Sequence, residues 1–219
     1  MAKDFAIVLN NGSLNSAVAT ALAAQKYRPI LVFAETTANV GSRQRAAYEQ
    51  QVSHFKPYRE HGLAMPFLSS LRSQSSEAAQ TIDPRHRLLL PPRLMELLPL
   101  VSMGIRLAAH YEAAAIYLGL RVGADADELA QATEYLQILN ELVQIPCDCA
   151  DLEIAAPLLE LEPWQVVDVG FQVNAPFERA WSCLEEASDP CGTCAGCRNR
   201  EQAFQQAGKP DPQRVLRKL

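Results

Sequence analysis

Five consecutive apolar residues, Phe5 to Leu9, run directly into Asn10, Asn11 and Gly12. A strand without polar alternation has to be covered on both faces, which is the condition of a central strand in a parallel sheet. A second run of the same kind follows at Pro29 to Phe33. Between the two, Ser16 to Gln25 is rich in alanine and strongly helix-forming, with Ser13 or Asn15 placed to accept the free amide protons at the helix start. Strand, helix and strand in this order make a βαβ unit with a right-handed crossover, which sets the first loop at the carboxyl edge of the sheet.

The rest of the chain continues the alternation. Gly41 to Phe55 reads as a polar helix, and Ala64 to Leu68 as a weaker third strand whose Pro66 suits an edge. Ser69 to Leu88, with its serines, Pro84 and the cluster Arg85, His86, Arg87, reads as a loop over the sheet edge. Leu94 to Tyr111 has helical spacing, Ala114 to Leu120 is a fourth strand, and Asp127 to Val143 is an amphipathic helix. Leu158 to Leu161 is taken as a short fifth strand, and Pro163 to Gly170 as a helix with proline in its first turn. The expected fold is α/β, a doubly wound parallel five-stranded sheet. The expected division is a nucleotide-binding α/β domain over 1–173 and a tail over 174–219, whose helix runs from Arg198 to Gln206.

Composition narrows the class. The chain of 219 residues is 48% hydrophobic and 21% charged, enough apolar material for a full core. It has no apolar run near the ~20 residues of a membrane span, and its first residues lack the order of a signal peptide, so a cytoplasmic protein is expected. A net charge of −5 argues against an extended basic surface for nucleic acid. His54, His61, His86 and His110 show no spacing that suggests catalysis. Met103, Leu107 and the apolar face of Leu129 to Val143 are the expected surface of a homodimer contact.

Four of the six cysteines, Cys183, Cys191, Cys194 and Cys197, fall within fifteen residues. Three sulfurs so close in sequence do not pair readily with one another, but they converge easily on one ion, with Gly192 and Gly196 supplying tight turns. A closed tetrahedral Cys₄ zinc site of structural type is the preferred reading. Buried free thiols and an iron–sulfur cluster are the alternatives, the latter without the further cysteine that a ferredoxin run supplies. Cys147 and Cys149 read as ordinary thiols at the end of a helix.

The first loop, from Leu9 through Asn10, Asn11, Gly12, Ser13, Leu14 and Asn15 to Ser16, is an anion site in outline, because unpaired amides and the helix dipole meet there. It has neither the G-K-[ST] of a P-loop nor G-x-G-x-x-G.

The tail from Trp181 through the cysteines to Arg198, followed by Ala203-Phe204-Gln-Gln-Ala207-Gly208, resembles that of the 7-cyano-7-deazaguanine synthases. Ala156-Pro157-Leu158, Gly170 to Glu178 and Leu90-Pro-Pro-Arg93 are similar to further segments of that family. The resemblance implies an N-type ATP pyrophosphatase fold, with ATP and Mg²⁺ at the first loop and Phe33 beside it. It also implies a deazaguanine-like substrate near Arg93 and Arg121, and zinc on the four cysteines. In that family 7-carboxy-7-deazaguanine is adenylylated and ammonia converts it to the nitrile.

The departures fall at the reactive positions. The family's S-G-G-x-D-S stands here as Asn11-Gly12-Ser13-Leu14-Asn15-Ser16, its L-x-K-x-E lysine as Pro163, and its loop after the fourth strand survives only as Gly119-Leu-Arg121 to Asp127. Asn15 in place of aspartate holds Mg²⁺ less well, and Ser13 is strained if the glycine it replaces has positive φ. Two readings follow: an ATP-dependent synthase, with Arg93, Arg121, Asp125 and Asp127 supplying replacement charge, or a zinc-stabilised, repurposed paralogue that binds a ligand or serves as a partner subunit.

Overall fold

The computed structural model describes residues 4–35, 42–67, 97–122, 126–144 and 151–215. The opening apolar run is β1 (Phe5–Leu9), the middle strand of a five-stranded parallel sheet, with Ala6, Ile7 and Val8 wholly buried. It is flanked by β2 (Arg28–Glu35) and β4 (Ala115–Leu118), and β3 (Arg59–Ala64) and β5 (Glu153–Ala155) are the edges, in the order β3-β2-β1-β4-β5. In register, Ile7 lies beside Ile30 and Ile116, and Val8 beside Leu31 and Tyr117. Successive rows therefore face opposite sides.

Each side has its own helices. The row of Val8, Leu31 and Phe33 packs with Ala23 of α1 (Leu14–Lys26) and Tyr48 of α2 (Arg43–Phe55). The row of Ile7, Ile30, Val32, Ile116 and Leu118 packs with Val101 and Ala108 of α3 (Leu97–Tyr111) and with Leu136 and Leu139 of α4 (Ala126–Gln144). The chain steps outward from β1 through β2 to β3, then returns to β4 on the other side of β1. The crevice at the carboxyl ends of β1 and β4 is the point where a doubly wound sheet offers a ligand site.

The C-terminal elements lie on the α1 side. Val166 and Val167 of α5 (Pro163–Gln172) and Ala203 and Phe204 of α6 (Ala195–Gln206) close over Val18 and Ala19 of α1, together with Phe177. Buried Arg200 fixes this layer. It makes paired 2.8 Å bonds to Asp211, at the foot of the short α7 (Pro212–Val215), and donates to the carbonyls of Phe177 and Ala180, also at 2.8 Å.

Several expected boundaries move. The third strand is Arg59–Ala64, not Ala64 to Leu68, because this edge strand has no fully buried residue and so needs no apolar run. Met65 and Pro66 come after it. The fifth strand is Glu153–Ala155. Leu158 and Leu159 are buried as expected of a strand, but in a turn, where Leu159 N–H bonds to Ala156 and Leu161 N–H to Leu158, both at 3.1 Å. The last long helix begins at Ala195, earlier than Arg198, because Cys194 caps it. Met103 and Leu107 pack against the core, so the apolar side chains turned outward on α3 and α4 are Leu98, Ile138 and Leu142. The expected loop over Ser69 to Leu88, Cys147, Cys149 and Arg93 lie outside the described residues.

Candidate functional site

The loop between β1 and α1 is fixed first by its backbone. Gly12 has φ +78°, and a Cβ there would lie 2.2 Å from the Gln44 carbonyl oxygen and 2.9 Å from the Tyr48 nitrogen, so α2 leaves no room for a side chain. Ser13 is extended, at φ −77° and ψ 169°, and caps α1 by accepting from Ser16 N–H at 3.3 Å. The strain expected of serine at this position is therefore absent, and the cap is Ser13, not Asn15.

A buried amide network then holds the loop from beneath. The Asn10 carboxamide donates to Thr20 Oγ1 at 3.0 Å and to Gln51 Oε1 at 2.9 Å, and its oxygen accepts from Gly12 N–H at 2.7 Å. Gln51, wholly buried, donates to the Gly12 carbonyl at 3.1 Å. The same carbonyl accepts from Trp181 N–H at 2.9 Å. Above this, Asn11 Oδ1 accepts from Ser13 N–H at 3.1 Å and from the Ser16 hydroxyl at 2.7 Å.

Over the loop, at the carboxyl ends of the strands, opens a cavity of about 270 Å³. Asn10, Asn11, Ser13 and Ser16 form its polar side; Leu9, Val32, Ala34 and Leu118 from the strands and Leu97, Leu100 and Met103 from α3 form its apolar side. Among the described residues no charged side chain lines it. Of the residues expected here, Leu9, Asn10, Asn11, Ser13 and Ser16 reach the cavity, while Gly12, Leu14 and Asn15 do not. Phe33 is turned to the opposite face of the sheet, its ring tilted against that of Tyr48 with centroids 4.9 Å apart, because Val32 and Ala34 on either side of it hold the cavity face. Arg121 folds its guanidinium back onto the Val122 carbonyl at 3.1 Å and is not in the lining.

Gly119 and Leu120 complete the wall, and α3 supplies the rest. In the sequence, Gly119 and Leu120 stood out only as the remnant of the family's loop after the fourth strand, and Leu97, Leu100 and Met103 carried no site signal. A Cβ on Gly119 would sit 2.9 Å from Ser16 N, so the glycine lets the end of β4 touch the start of α1; a glycine directly after an apolar strand was the available signal.

The cysteine cluster assembles as one object. The ligand atoms of Cys183, Cys191, Cys194 and Cys197 lie within 4.8 Å of one another, with Cys183 Sγ 3.6 Å from Cys191 Sγ and 3.9 Å from Cys194 Sγ. Four thiolates about 2.3 Å from a tetrahedral ion stand about 3.8 Å apart, so the arrangement fits such an ion with no open position. Backbone N–H groups point at the sulfurs: Leu184 and Cys197 at Cys194, Glu185 and Cys191 at Cys183, and Cys194 at Cys191, at 3.3–3.4 Å.

The Thr193 N–H, helped by the Cys194 N–H and the Thr193 hydroxyl, brings the exposed Cys191 thiol down to about 6; the Leu184 and Cys197 N–H groups lower Cys194, whereas burial pushes Cys197 up to about 12. A cation among the sulfurs would reverse the penalty on Cys197. Gly192, at φ +77°, makes the expected turn; Gly196 does not, being inside α6, where a Cβ would collide with the Ser182 carbonyl.

A five-stranded parallel sheet of this order, with its β1–α1 loop over a carboxyl-edge cavity, places the chain in the class of doubly wound α/β folds that bind ligands at the topological switch point. A solved structure described as a predicted subunit of tRNA methyltransferase from Methanocaldococcus jannaschii shares the fold. It has a TM-score of 0.50 and 13% identity, with 94% of this chain and 89% of that one covered. Within the class the sequence matches the family described as Queuosine biosynthesis protein QueC over residues 5–208, and the chain belongs to that family. It is 26% identical over 219 residues to the 7-cyano-7-deazaguanine synthase of Parasynechococcus marenigrum, covering 96% of this chain and 97% of the relative. It is also 26% identical over 215 residues to the enzyme of the same name from Chloroherpeton thalassium, covering 94% and 95%. Among the described residues no helix is long and apolar enough to cross a membrane.

Proposed function

We propose that this chain binds a 7-deazaguanine-type heterocycle in the cavity over the β1–α1 loop and has set aside the ATP-dependent adenylylation for which its relatives' fold is built. The observation that carries this reading is the cavity lining, which among the described residues offers amides, hydroxyls and aliphatic groups but no charge. A flat heterocycle with edge donors and acceptors suits Asn11, Ser13 and Ser16 on one side and Leu97, Leu100 and Met103 on the other. Adenylyl transfer depends on positioned cations and a metal-binding carboxylate, each worth several kcal/mol of transition-state stabilisation. Asn15 and Pro163 stand where the family's aspartate and lysine would supply them.

In the same proposal Cys183, Cys191, Cys194 and Cys197 hold one structural zinc ion. Bound there, zinc cross-links the tail and does no chemistry on substrate. Residues 174–219 then act as a zinc-pinned tail on the α/β unit of 1–173, in a cytoplasmic protein. A homodimer through the exposed Ile138 and Leu142 of α4 belongs to the same reading and is checked by sedimentation of the wild type against Ile138→Glu.

One observation favours a second reading, an active synthase converting 7-carboxy-7-deazaguanine and ammonia to the nitrile: the family match spans residues 5–208 and the alignments with the Parasynechococcus and Chloroherpeton enzymes run nearly end to end. The experiment is AMP release and ATP–pyrophosphate exchange with 7-carboxy-7-deazaguanine, Mg²⁺ and ammonium. Silence, with heterocycle binding by calorimetry, supports the proposed reading; turnover well above background establishes the second.

A further inference from the structure

Four of the backbone amides at the head of α1, those of Asn11, Gly12, Ser13 and Ser16, are already occupied. Asn10 Oδ1 takes Gly12 N–H at 2.7 Å, and Asn11 Oδ1 takes Ser13 N–H at 3.1 Å. Ser16 Oγ takes Asn11 N–H at 3.3 Å, and Ser13 Oγ takes Ser16 N–H at 3.3 Å. Two consecutive asparagines thus fold back onto the amide two residues ahead. The roles differ between them. Asn10 is buried and its carboxamide is built into the network with Thr20 and Gln51, whereas Asn11 is exposed and stands at the cavity wall.

Asn11 Oδ1 also takes the Ser16 hydroxyl proton at 2.7 Å. One oxygen therefore collects a backbone N–H and a side-chain O–H that both belong to residues of the cavity wall. That is the donor pair a phosphate oxygen would use at a helix start. The Ser16 hydroxyl has no second proton to give, since it donates to Asn11 and accepts from Asn11 N–H and from the Ser13 hydroxyl, the last at 3.2 Å.

We propose that the Asn11 carboxamide is a built-in substitute for phosphate, a specificity-determining group that closes the loop to phosphorylated ligands and leaves the cavity to neutral, unphosphorylated heterocycles. The inference rests on the reading of this cavity as the chain's ligand site. For pyrophosphate to enter, the Asn11 side chain has to swing away and give up two hydrogen bonds. Nothing charged among the described lining residues compensates for that loss.

The test titrates the full-length zinc-loaded protein with inorganic pyrophosphate, and separately with guanosine and its 5′-triphosphate. Calorimetry gives the affinities, and the Gly12 and Ser13 amide resonances report the loop. The wild type is expected to bind the nucleoside and its triphosphate within about threefold of each other, with no amide shift on pyrophosphate. Asn11→Ser, which withdraws the carboxamide, is expected to gain at least about tenfold for pyrophosphate and to shift the Ser13 amide, because a charged oxygen makes the stronger bond there.

Asn11→Asp keeps the acceptor in place and adds negative charge, so it should fold as the wild type does and gain nothing. Tight pyrophosphate binding by the wild type overturns the proposal. So does an unchanged affinity in a folded Asn11→Ser, or an equal gain in Asn11→Asp. Pyrophosphate reports on the loop without the base cavity, so failure of the nucleoside alone to bind counts against the cavity reading and leaves the loop result intact.

Discussion

The backbone N–H of Trp181 donates to the carbonyl of Gly12 at 2.9 Å, which makes the segment entering the cysteine cluster and the loop at the head of α1 one hydrogen-bonded unit. Trp181 packs with Ala47 of α2 and with Cys183 and Cys197, so the contact continues into the cluster itself.

Cys194→Ser separates the two jobs of that residue. Serine keeps the helix cap now made by Cys194 Sγ to Cys197 N–H at 3.4 Å but is a poor zinc ligand. We expect elemental analysis to fall from ~1 zinc per chain to none. Tm should fall by on the order of 10 °C, as a loss of several kcal/mol implies for a chain of this size. Exchange of the loop amides should accelerate as Trp181 loosens. A zinc-free variant with unchanged Tm would refute the structural role.

Gln51→Leu keeps the volume and removes the hydrogen bonds. It leaves the Asn10 amide without its 2.9 Å partner and strips one donor from the Gly12 carbonyl, all inside the core. Orphaned buried groups of this kind cost about 2 kcal/mol, read as a lowered denaturation midpoint with unchanged m. Stability equal to wild type would show that the network is incidental to the loop.

Burial holds the Tyr48 phenol well above the usual tyrosine range, with Glu60 adding to the effect. The folded state therefore keeps a proton that the unfolded state gives up. This stability is fully present below pH 10, the ordinary tyrosine value, and is lost as pH rises beyond it. Tyr117 and Tyr135 are raised in the same direction by burial. Tyr48→Phe should therefore flatten, without abolishing, the loss of stability above pH 10. At neutral pH it should cost at most about 1 kcal/mol, since the hydroxyl has only a long 3.4 Å bond to the Leu31 carbonyl. An identical alkaline profile would contradict this.

Arg200→Lys retains the charge and loses the fork. Lysine cannot serve two carboxylate oxygens and two carbonyls in one plane, so a drop of about 3 kcal/mol is expected, with α7 released first. Limited proteolysis after residue 208 reads the release, and a protected tail in the variant would count against it.

The strand–loop–helix core was legible because its apolar runs had no polar residue to misplace: β1 and β2 follow directly from the residue types, which left the cap between Ser13 and Asn15. Edges were not. Arg59–Ala64 reads as polar because no residue of this edge strand is buried, only His61 and Leu63 being half-covered, and Leu158–Leu159 reads as a strand because burial alone does not distinguish a turn from an extended segment. At the site, the cysteine spacing predicted that the four sulfurs converge, since residues able to hold one ion must be neighbours. The cavity wall did not show, because Leu97, Leu100 and Met103 are ordinary helix residues until α3 is laid across the ends of β1 and β4. Nor did the fold-back of Asn11: its residue type allowed a cap, a metal ligand or a turn, and only the bonds its oxygen makes to Ser13 N–H and the Ser16 hydroxyl distinguish among them.

The Gly12 position, tight against the α2 backbone and bonded on both its N–H and its carbonyl, has a kinetic meaning. A loop with no room to rearrange has little ordering entropy to lose when a ligand arrives, so association at this cavity should be a single bimolecular step whose observed rate rises linearly with ligand concentration, without the plateau that a slow loop closure imposes. Differences among ligands should then show in how quickly they leave.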